Sequence, residues 1–139
     1  MPAPDELSIL LVEDDDVDVM SVQRAFERGH IASRVTVARD GIEALRLLRN
    51  GQGPQQRRLV LLDLNLPRMS GIEFLGEVRR DPLLCRTLVV VLTTSNEERD
   101  RADAYGLHAA GYLLKPVTFP AFVELMVVLN RYWRLVEFP

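Results

Sequence analysis

At 139 residues the chain has the length of one domain with a substantial core, and not of two. With 47% hydrophobic and 27% charged residues it has the balance of a globular protein, which excludes a disordered or low-complexity chain. A formal charge of −3 and a pI near 5.4 leave no basic footprint for nucleic acid, and the single cysteine, Cys85, excludes an internal disulfide framework.

Strand and helix signals then alternate five times along the chain. The N-terminal Met1-Pro2-Ala3-Pro4-Asp5-Glu6 carries no basic stretch, so no signal peptide is expected. Ser8 to Val12 is a short apolar run that stops at Glu13-Asp14, the pattern of a strand buried on both faces. Val19, Val22 and Phe26 recur at helical spacing, and Gly29 closes that helix. Arg34 to Ala38 alternates as a half-buried strand should. Asp40-Gly41-Ile42-Glu43 opens a second helix, with Ile42, Leu45 and Leu48 on one face and Asn50-Gly51 at its end; residues 51–56 read as a loop.

Leu59 to Leu62 is the third strand and runs into Asp63. A third helix starts at Ser70, turns Ile72, Leu75 and Val78 inward, and stops at Asp81-Pro82; Cys85 follows as a small apolar filler. Leu88 to Leu92 is the fourth strand, Asn96 to Tyr105 the fourth helix with Gly106 past its end, and Gly111 to Leu114 the fifth strand. The last helix carries Phe122, Leu125, Met126, Leu129, Tyr132 and Trp133 at helical spacing. Three helix starts share a capping-box pattern: Asp40…Glu43, Ser70…Glu73 and Ser95…Glu98. Alternating β and α units with short connections predict a single doubly wound α/β domain, its parallel sheet covered by helices on both faces. No apolar stretch approaches the roughly 18 residues of a membrane span, so neither a membrane nor nucleic acid is an expected partner, and the lone cysteine fits the cytoplasm.

In such a sheet the ligand site lies beyond the carboxyl ends of the strands. Three strands here end in charge: at Glu13-Asp14, at Asp63 and at Lys115-Pro116. Taken alone, the acidic run Glu13, Asp14, Asp15, Asp16 and Asp18 reads as a solvated turn favouring a helix N-terminus. Asp63 changes that reading, because an isolated carboxylate at the end of a buried strand is costly. Carboxylates about 4 Å apart repel by about 4 kcal/mol at an effective dielectric near 20, so such a cluster needs a cation or raised pKa values. Hard oxygen ligands beside a phosphate-bearing substrate favour Mg²⁺. Lys115 is the only lysine in the chain, the other 16 of its 17 basic side chains being arginine. A compact point charge, not a broad fork, suits the approach to one oxygen. Pro116 makes the junction a shaped turn, with a cis bond as one option. Thr93, just past the fourth strand, is placed to offer a hydroxyl to an oxyanion over Asp63.

The segments LLVEDD, LLDLNLPRMSG, VVVLTTS and YLLKP, in this order and spacing, resemble the receiver domain of two-component response regulators over nearly the whole chain. The resemblance implies a flavodoxin-like fold with five strands in the order 2-1-3-4-5, a core of about residues 7–130 and an apolar tail at 131–139. It implies that Asp63 accepts a phosphoryl group from a phosphohistidine on a partner histidine kinase. The chain would then not be an enzyme beyond self-phosphorylation and slow self-dephosphorylation. Asp14, Asp63 and the main-chain carbonyl of Asn65 would hold Mg²⁺, with Glu13 acting mainly through water. Lys115 would pair with the phosphoryl oxygens, Thr93 would be the switch hydroxyl and Tyr112 the switch aromatic. One departure is the pair Glu13-Asp14 in place of two aspartates.

A narrower likeness lies in LTTS, KPVTFPAF and NRYWRLVEFP, which resemble the small single-domain regulators that partner phytochrome-type, light-sensing kinases. In that group the last helix and tail contribute to dimers. Tyr132, Trp133, Leu135, Val136 and Phe138 are therefore the expected interface of a homodimer, which would use the face of the fourth helix, fifth strand and fifth helix. A last helix packed on its own sheet would account for Tyr132 or Trp133, less readily for Val136 and Phe138. The alternative reading is a phosphorelay shuttle or adaptor for a kinase of another kind. Two remote rivals are a haloacid dehalogenase-like phosphatase, which wants an acid where Asn65 stands, and a flavodoxin-like FMN carrier, which wants a hydroxyl- and glycine-rich loop where this chain has acids. His30 and His108 lie near loops in no kinase motif and read as surface or packing residues.

Overall fold

Five short runs rich in Val and Leu pair into one parallel sheet in the computed structural model, which describes residues 7–50 and 57–139. The expected loop at 51–56, with Gly51 of the second helix's closing pair, and the N-terminal Met1 to Glu6 lie outside the described residues. The strands are β1 (Leu7–Val12), β2 (Arg34–Ala38), β3 (Arg57–Leu62), β4 (Leu88–Thr93) and β5 (Gly111–Leu114), in the order β2-β1-β3-β4-β5. The order reverses between β1 and β3, so a crevice opens beyond their carboxyl ends. Register keeps those ends level: Val12 pairs with Leu62, Leu62 with Val91, and Thr93 with Leu114.

Alternation along the central strands feeds two cores. Leu10, Val12, Val60, Leu62, Val89 and Val91 pack under α2 (Gly41–Arg49), α3 (Gly71–Arg80) and α4 (Glu98–Gly106). Ile9, Leu11, Leu59, Leu61, Val90 and Leu92 pack under α1 (Asp16–Arg28) and α5 (Phe119–Leu135). Each such side chain, once fully buried, contributes about 1.5–3 kcal/mol, so the two faces together anchor the strand ends firmly.

Several expectations are corrected. Ile42 is 48% exposed, because α2 buries Gly41, Ala44, Leu45 and Leu48 and Ile42 stands about 120° of helical rotation from Leu48. Tyr132 is 57% exposed, and Trp133, one residue on, takes the inner face. The helix α4 starts two residues later than expected, with Glu97 at its cap and no side-chain cap bond. Ser95 is not the cap, since its hydroxyl donates to Asp100 (2.5 Å) and accepts from the Glu97 N–H (3.4 Å). The strand β4 takes in Thr93, and Gly106 lies inside α4. The Lys115–Pro116 bond is trans. The other two caps form: Ser70 and Glu73 make the reciprocal box, and Asp40 accepts from the Glu43 N–H at 2.8 Å.

Gly29 closes α1 without a left-handed backbone. A Cβ there would stand 2.6 Å from Val127 of α5, and His30 takes the positive φ of 54°. The Ile31 N–H then reaches back to the Phe26 carbonyl (2.9 Å), the long bond of a Schellman ending. His108 does the same after α4, with φ 61° and the Ala109 N–H on the Ala104 carbonyl (3.0 Å). Both histidines are thus exposed turn residues. Cys85 is half-buried after α3.

The C-terminal tail folds back on its own domain. From the start of β3, the Arg57 guanidinium donates to the carbonyls of Trp133 (2.8 Å), Arg134 (3.0 Å) and Val136 (2.5 Å) and lies 5.0 Å from the centre of the Phe138 ring. Phe138 meets Trp133 edge-on at 6.0 Å, and Val136 and Phe138 both pack against the α1–α5 core. Trp133, Val136 and Phe138 therefore contribute to the protomer itself, whereas Tyr132 and Leu135 stay exposed.

Two predictions follow from this packing. A Cβ on Gly71 would lie 2.5 Å from the Asp63 carbonyl and 2.6 Å from the Leu64 Cα, so α3 begins against the backbone that carries Asp63. Alanine gains at most about 1 kcal/mol in helix propensity, while overpacking costs about 1–3 kcal/mol. Gly71→Ala should lower the melting temperature, as read by calorimetry. Asp40, besides capping α2, accepts from Arg68, and that hydrogen bond, with the Glu43 N–H, holds its carboxyl below the usual value of roughly 4. A depressed folded pKa stabilises above the unfolded value and is lost as pH falls through the folded one. Asp40→Asn keeps a capping acceptor and should therefore lower stability at pH 7, with the gap to the parent closing in acid denaturation below pH 4.

Candidate functional site

At the carboxyl ends of β1, β3 and β5 the chain places Glu13, Asp63 and Lys115 together. Glu13 and Asp63 are buried, and the Lys115 side chain is only 8% exposed. The backbone fixes them there: the Asp63 N–H donates to the Val12 carbonyl (3.0 Å), the Glu13 N–H to Ala38 (2.9 Å) and the Lys115 N–H to Thr93 (2.9 Å). Each bond continues the parallel ladder one residue past the strands, so the polar side chains inherit the register of the apolar ones.

The five acids after β1 turn out to be divided among tasks. Glu13 and Asp14 join Asp63 in a group whose carboxylate oxygens lie within 4.8 Å of one another. Asp15 caps α1 by accepting from the Val17 (2.8 Å) and Asp18 (3.2 Å) N–H groups. Asp16 faces solvent and pairs with Arg39 (2.5 Å). Asp18, one helical turn beyond the cluster, returns to the site and accepts from Lys115 Nζ at 2.7 Å. Its role was not read from the sequence, although a helix beginning at residue 16 brings that position back over its own N-terminus.

Lys115 Nζ also donates to Glu13 Oε1 at 2.5 Å and stands 3.7 Å from Asp63 Oδ2. Burial works against its charge, but the hydrogen bonds it donates to Asp18 and Glu13 and the field of Asp63 outweigh that and raise its pKa. Burial pushes the Glu13 carboxyl up to about 7; repulsion from Asp63 adds to this, and Lys115 opposes it. Asp63 Oδ1 is buried with no hydrogen-bond partner. An orphaned carboxylate oxygen among hard oxygen donors fits a divalent cation.

Thr93, fully buried, ends β4, and its Oγ1 accepts from the Ser95 N–H at 3.3 Å. The Tyr112 hydroxyl donates to the Ser95 carbonyl at 2.9 Å, and its ring lies 6.4 Å from that of Tyr105. Burial raises the Tyr112 pKa, so the phenol stays a donor. Asn65 is exposed, two residues past Asp63. Of the expected site residues, Glu13, Asp14, Asp63 and Lys115 are brought together, and Thr93 and Tyr112 meet at Ser95. Tyr132, Trp133, Leu135, Val136 and Phe138 lie apart, on α5 and the tail. Beside the cluster, Asp18, Lys115, Thr94, Phe119 and Phe122 line an open cavity of about 380 Å³.

Residues 9–126 match the response regulator receiver domain family. The chain is 41% identical over 135 residues to the probable methanogenesis regulatory protein FilR2 of Methanothrix harundinacea, spanning 96% of this chain and 87% of that protein. It is 37% identical over 129 residues to response regulator Rcp1 of Synechocystis, spanning 90% of this chain and 87% of that protein. The Mn²⁺-bound form of Rcp1 superposes with a TM-score of 0.81, covering 95% of this chain and 98% of that one. The phosphorylated cyanobacterial phytochrome response regulator RcpA superposes with a TM-score of 0.85 at 35% identity, covering 96% and 99%. With the buried carboxylates, the lone lysine and the 2-1-3-4-5 sheet in one arrangement, the chain belongs to the response regulator receiver domains of two-component systems.

Proposed function

We propose that Asp63 takes a phosphoryl group from the phosphohistidine of a histidine kinase, with Mg²⁺ held by Asp14, Asp63 and the Asn65 carbonyl and Glu13 reaching it through water. The observation that carries this is the Asp63 carboxylate, buried at a strand end with one oxygen unpartnered, beside two further carboxylates and the chain's single ammonium. An oxygen of Asp63 attacks phosphorus, the P–N bond breaks, and the imidazole nitrogen leaves and recovers a proton from solvent. Bound Mg²⁺ would supply charge neutralisation for the phosphoryl oxygens. Lys115 supplies a positive charge on the other side, already desolvated and so effective there. The aspartyl phosphate adds about two negative charges and strong acceptors.

Readout runs through Thr93 and Tyr112 in this proposal. The phosphoryl draws the Thr93 hydroxyl away from the Ser95 N–H, and the loop that holds Tyr112 by the Ser95 carbonyl follows. The helix α4, which buries only Ala104, shifts with that loop. The kinase is of the phytochrome type in this reading, on the strength of the likeness to Rcp1 and RcpA, and the compartment is the cytoplasm. Among the described residues no helix is long and apolar enough to cross a membrane. The likeness to FilR2 supports a second reading, an adaptor or shuttle for a kinase with another input. Phosphotransfer profiling against kinases of both kinds decides between them.

Incubation with phosphoramidate and Mg²⁺, followed by intact mass, should show one added phosphoryl group. Asp63→Asn or chelation of the metal should abolish it, and Lys115→Ala should slow it on the order of a hundredfold; uptake by Asp63→Asn would refute the site. A homodimer is proposed on the α4–β5–α5 face, where Tyr105, Leu114, Val128, Tyr132 and Leu135 are exposed. Leu135→Glu should weaken it in sedimentation equilibrium, whereas a parent chain that stays monomeric at high concentration would end that part.

A further inference from the structure

Lys115 has two hydrogen-bonded carboxyl partners, and the phosphoacceptor is neither of them. Its Nζ lies 2.5 Å from Glu13 and 2.7 Å from Asp18, but 3.7 Å from Asp63, beyond hydrogen-bond range. The two partners differ in place. The Glu13 side chain is 3% exposed and sits inside the cluster, whereas that of Asp18 is 33% exposed on the first turn of α1, at the rim of the open cavity. Asp18, on α1, thus holds Nζ a full ångström closer than Asp63 does.

We infer that Asp18 is a positioning residue for phosphoryl acceptance, a counter-anchor that holds Lys115 back from Asp63 until an incoming phosphoryl group competes for the ammonium. The inference rests on the reading of Asp63 as the phosphoacceptor. The arriving group, with about two negative charges, outbids one half-exposed carboxylate, and Nζ exchanges Asp18 for a phosphoryl oxygen. No covalent bond changes in that exchange. Asp18 thereby sets a threshold: it weakens the unphosphorylated pull of Lys115 on Asp63 and must be displaced before the transition state is neutralised. Removing its charge while keeping its shape should ease acceptance.

The test measures phosphoramidate-driven phosphorylation of the full chain in Mg²⁺ for the parent, Asp18→Asn, Asp18→Ser, Asp16→Asn, Lys115→Ala and the double variant Asp18→Asn/Lys115→Ala. Both Asp18 variants should accept phosphoryl at least about threefold faster. Asp16→Asn removes the same charge from the same acidic run, two residues away and paired to Arg39 instead, and should leave the rate unchanged. The double variant should match Lys115→Ala. Because the chain has one lysine, ¹³C-lysine labelling yields a single side-chain Cε resonance; it should move in Asp18→Asn and stay in place in Asp16→Asn. Slower or unchanged acceptance in both Asp18 variants overturns the inference. So does an equal gain in Asp16→Asn, or a gain that persists without Lys115. A parent chain that takes no phosphoryl would defeat the proposed function, and the lysine resonance, measured without phosphate, would still report on Asp18: a resonance that does not move refutes the counter-anchor by itself.

Discussion

One ammonium set among carboxylates is the constraint on which the rest of this structure depends. Glu13, Asp63 and the inner face of Asp18 surround Lys115, and Asp14 stands at the open side. Four acids against one base cannot all be charged and dry without a further cation or a retained proton, since each close like pair at about 4 Å repels by about 4 kcal/mol at an effective dielectric near 20. The upward shift of the Glu13 carboxyl, caused first by burial and then by repulsion from Asp63, is one sign of that conflict. Such an imbalance contributes nothing to folding, and its only evident use is to take up positive charge and a phosphoryl group. The fold therefore has to supply the stability that the site removes.

It does so through the two apolar cores on either side of the sheet. Leu59, Val60, Leu61 and Leu62 are all fully buried immediately before Asp63, and Ile9 to Val12 nearly so before Glu13. With both faces covered, a slip of one residue in register would exchange the two cores, so the strand ends are strongly fixed. The same buried runs that stabilise the domain thus set the spacing of the charged groups. Gly71 extends the logic to α3, whose first residue lies against the Asp63 carbonyl and leaves no room for a side chain. Burial is concentrated on β1 and β3, whereas α4 buries a single residue, Ala104.

This division explains what was legible in the sequence. Runs such as Leu59 to Leu62 bury every residue, so their length and composition marked the strands, and their abrupt ends marked the site. Ser70…Glu73 was legible because both halves of that cap are local. Ser95…Glu98 carries the same pattern and misled, because the Ser95 hydroxyl has a competing acceptor in Asp100 and its carbonyl is taken by Tyr112, a residue far away in the chain. Ile42 was misplaced by a step of three where the true stripe passes through the small Ala44. The packing of the tail was hidden for a related reason. Val136 and Phe138 looked like unmet apolar surface, since nothing local announces that Arg57, 79 residues earlier than Val136, holds their backbone and ring. Asp18 was one acid among five until α1 showed which way it faced.

The contrast between Arg57, Arg79 and Lys115 gives a reason for a chain built on arginine to keep one lysine. Arg79, on α3, donates to the carbonyls of Leu107 (2.7 Å), Cys85 (2.9 Å), Thr87 (2.7 Å) and His108 (3.0 Å), joining the turn before β4 to the turn before β5. Burial lowers its pKa, and a guanidinium still keeps its charge there. A fixed planar fork with five donors suits several carbonyls that never move. At the site the demand is the opposite. In the proposed exchange the cation leaves Asp18 and reaches a phosphoryl oxygen without reorienting a plane, and a rotating –NH₃⁺ on a flexible stem can do so where a fork bound to two carboxylates would have to break paired bonds together. Arginine at 115 would bind the acids more firmly in the resting state and yield them less readily. The lone lysine is thus tied to exchange of partners, and the arginines to permanence.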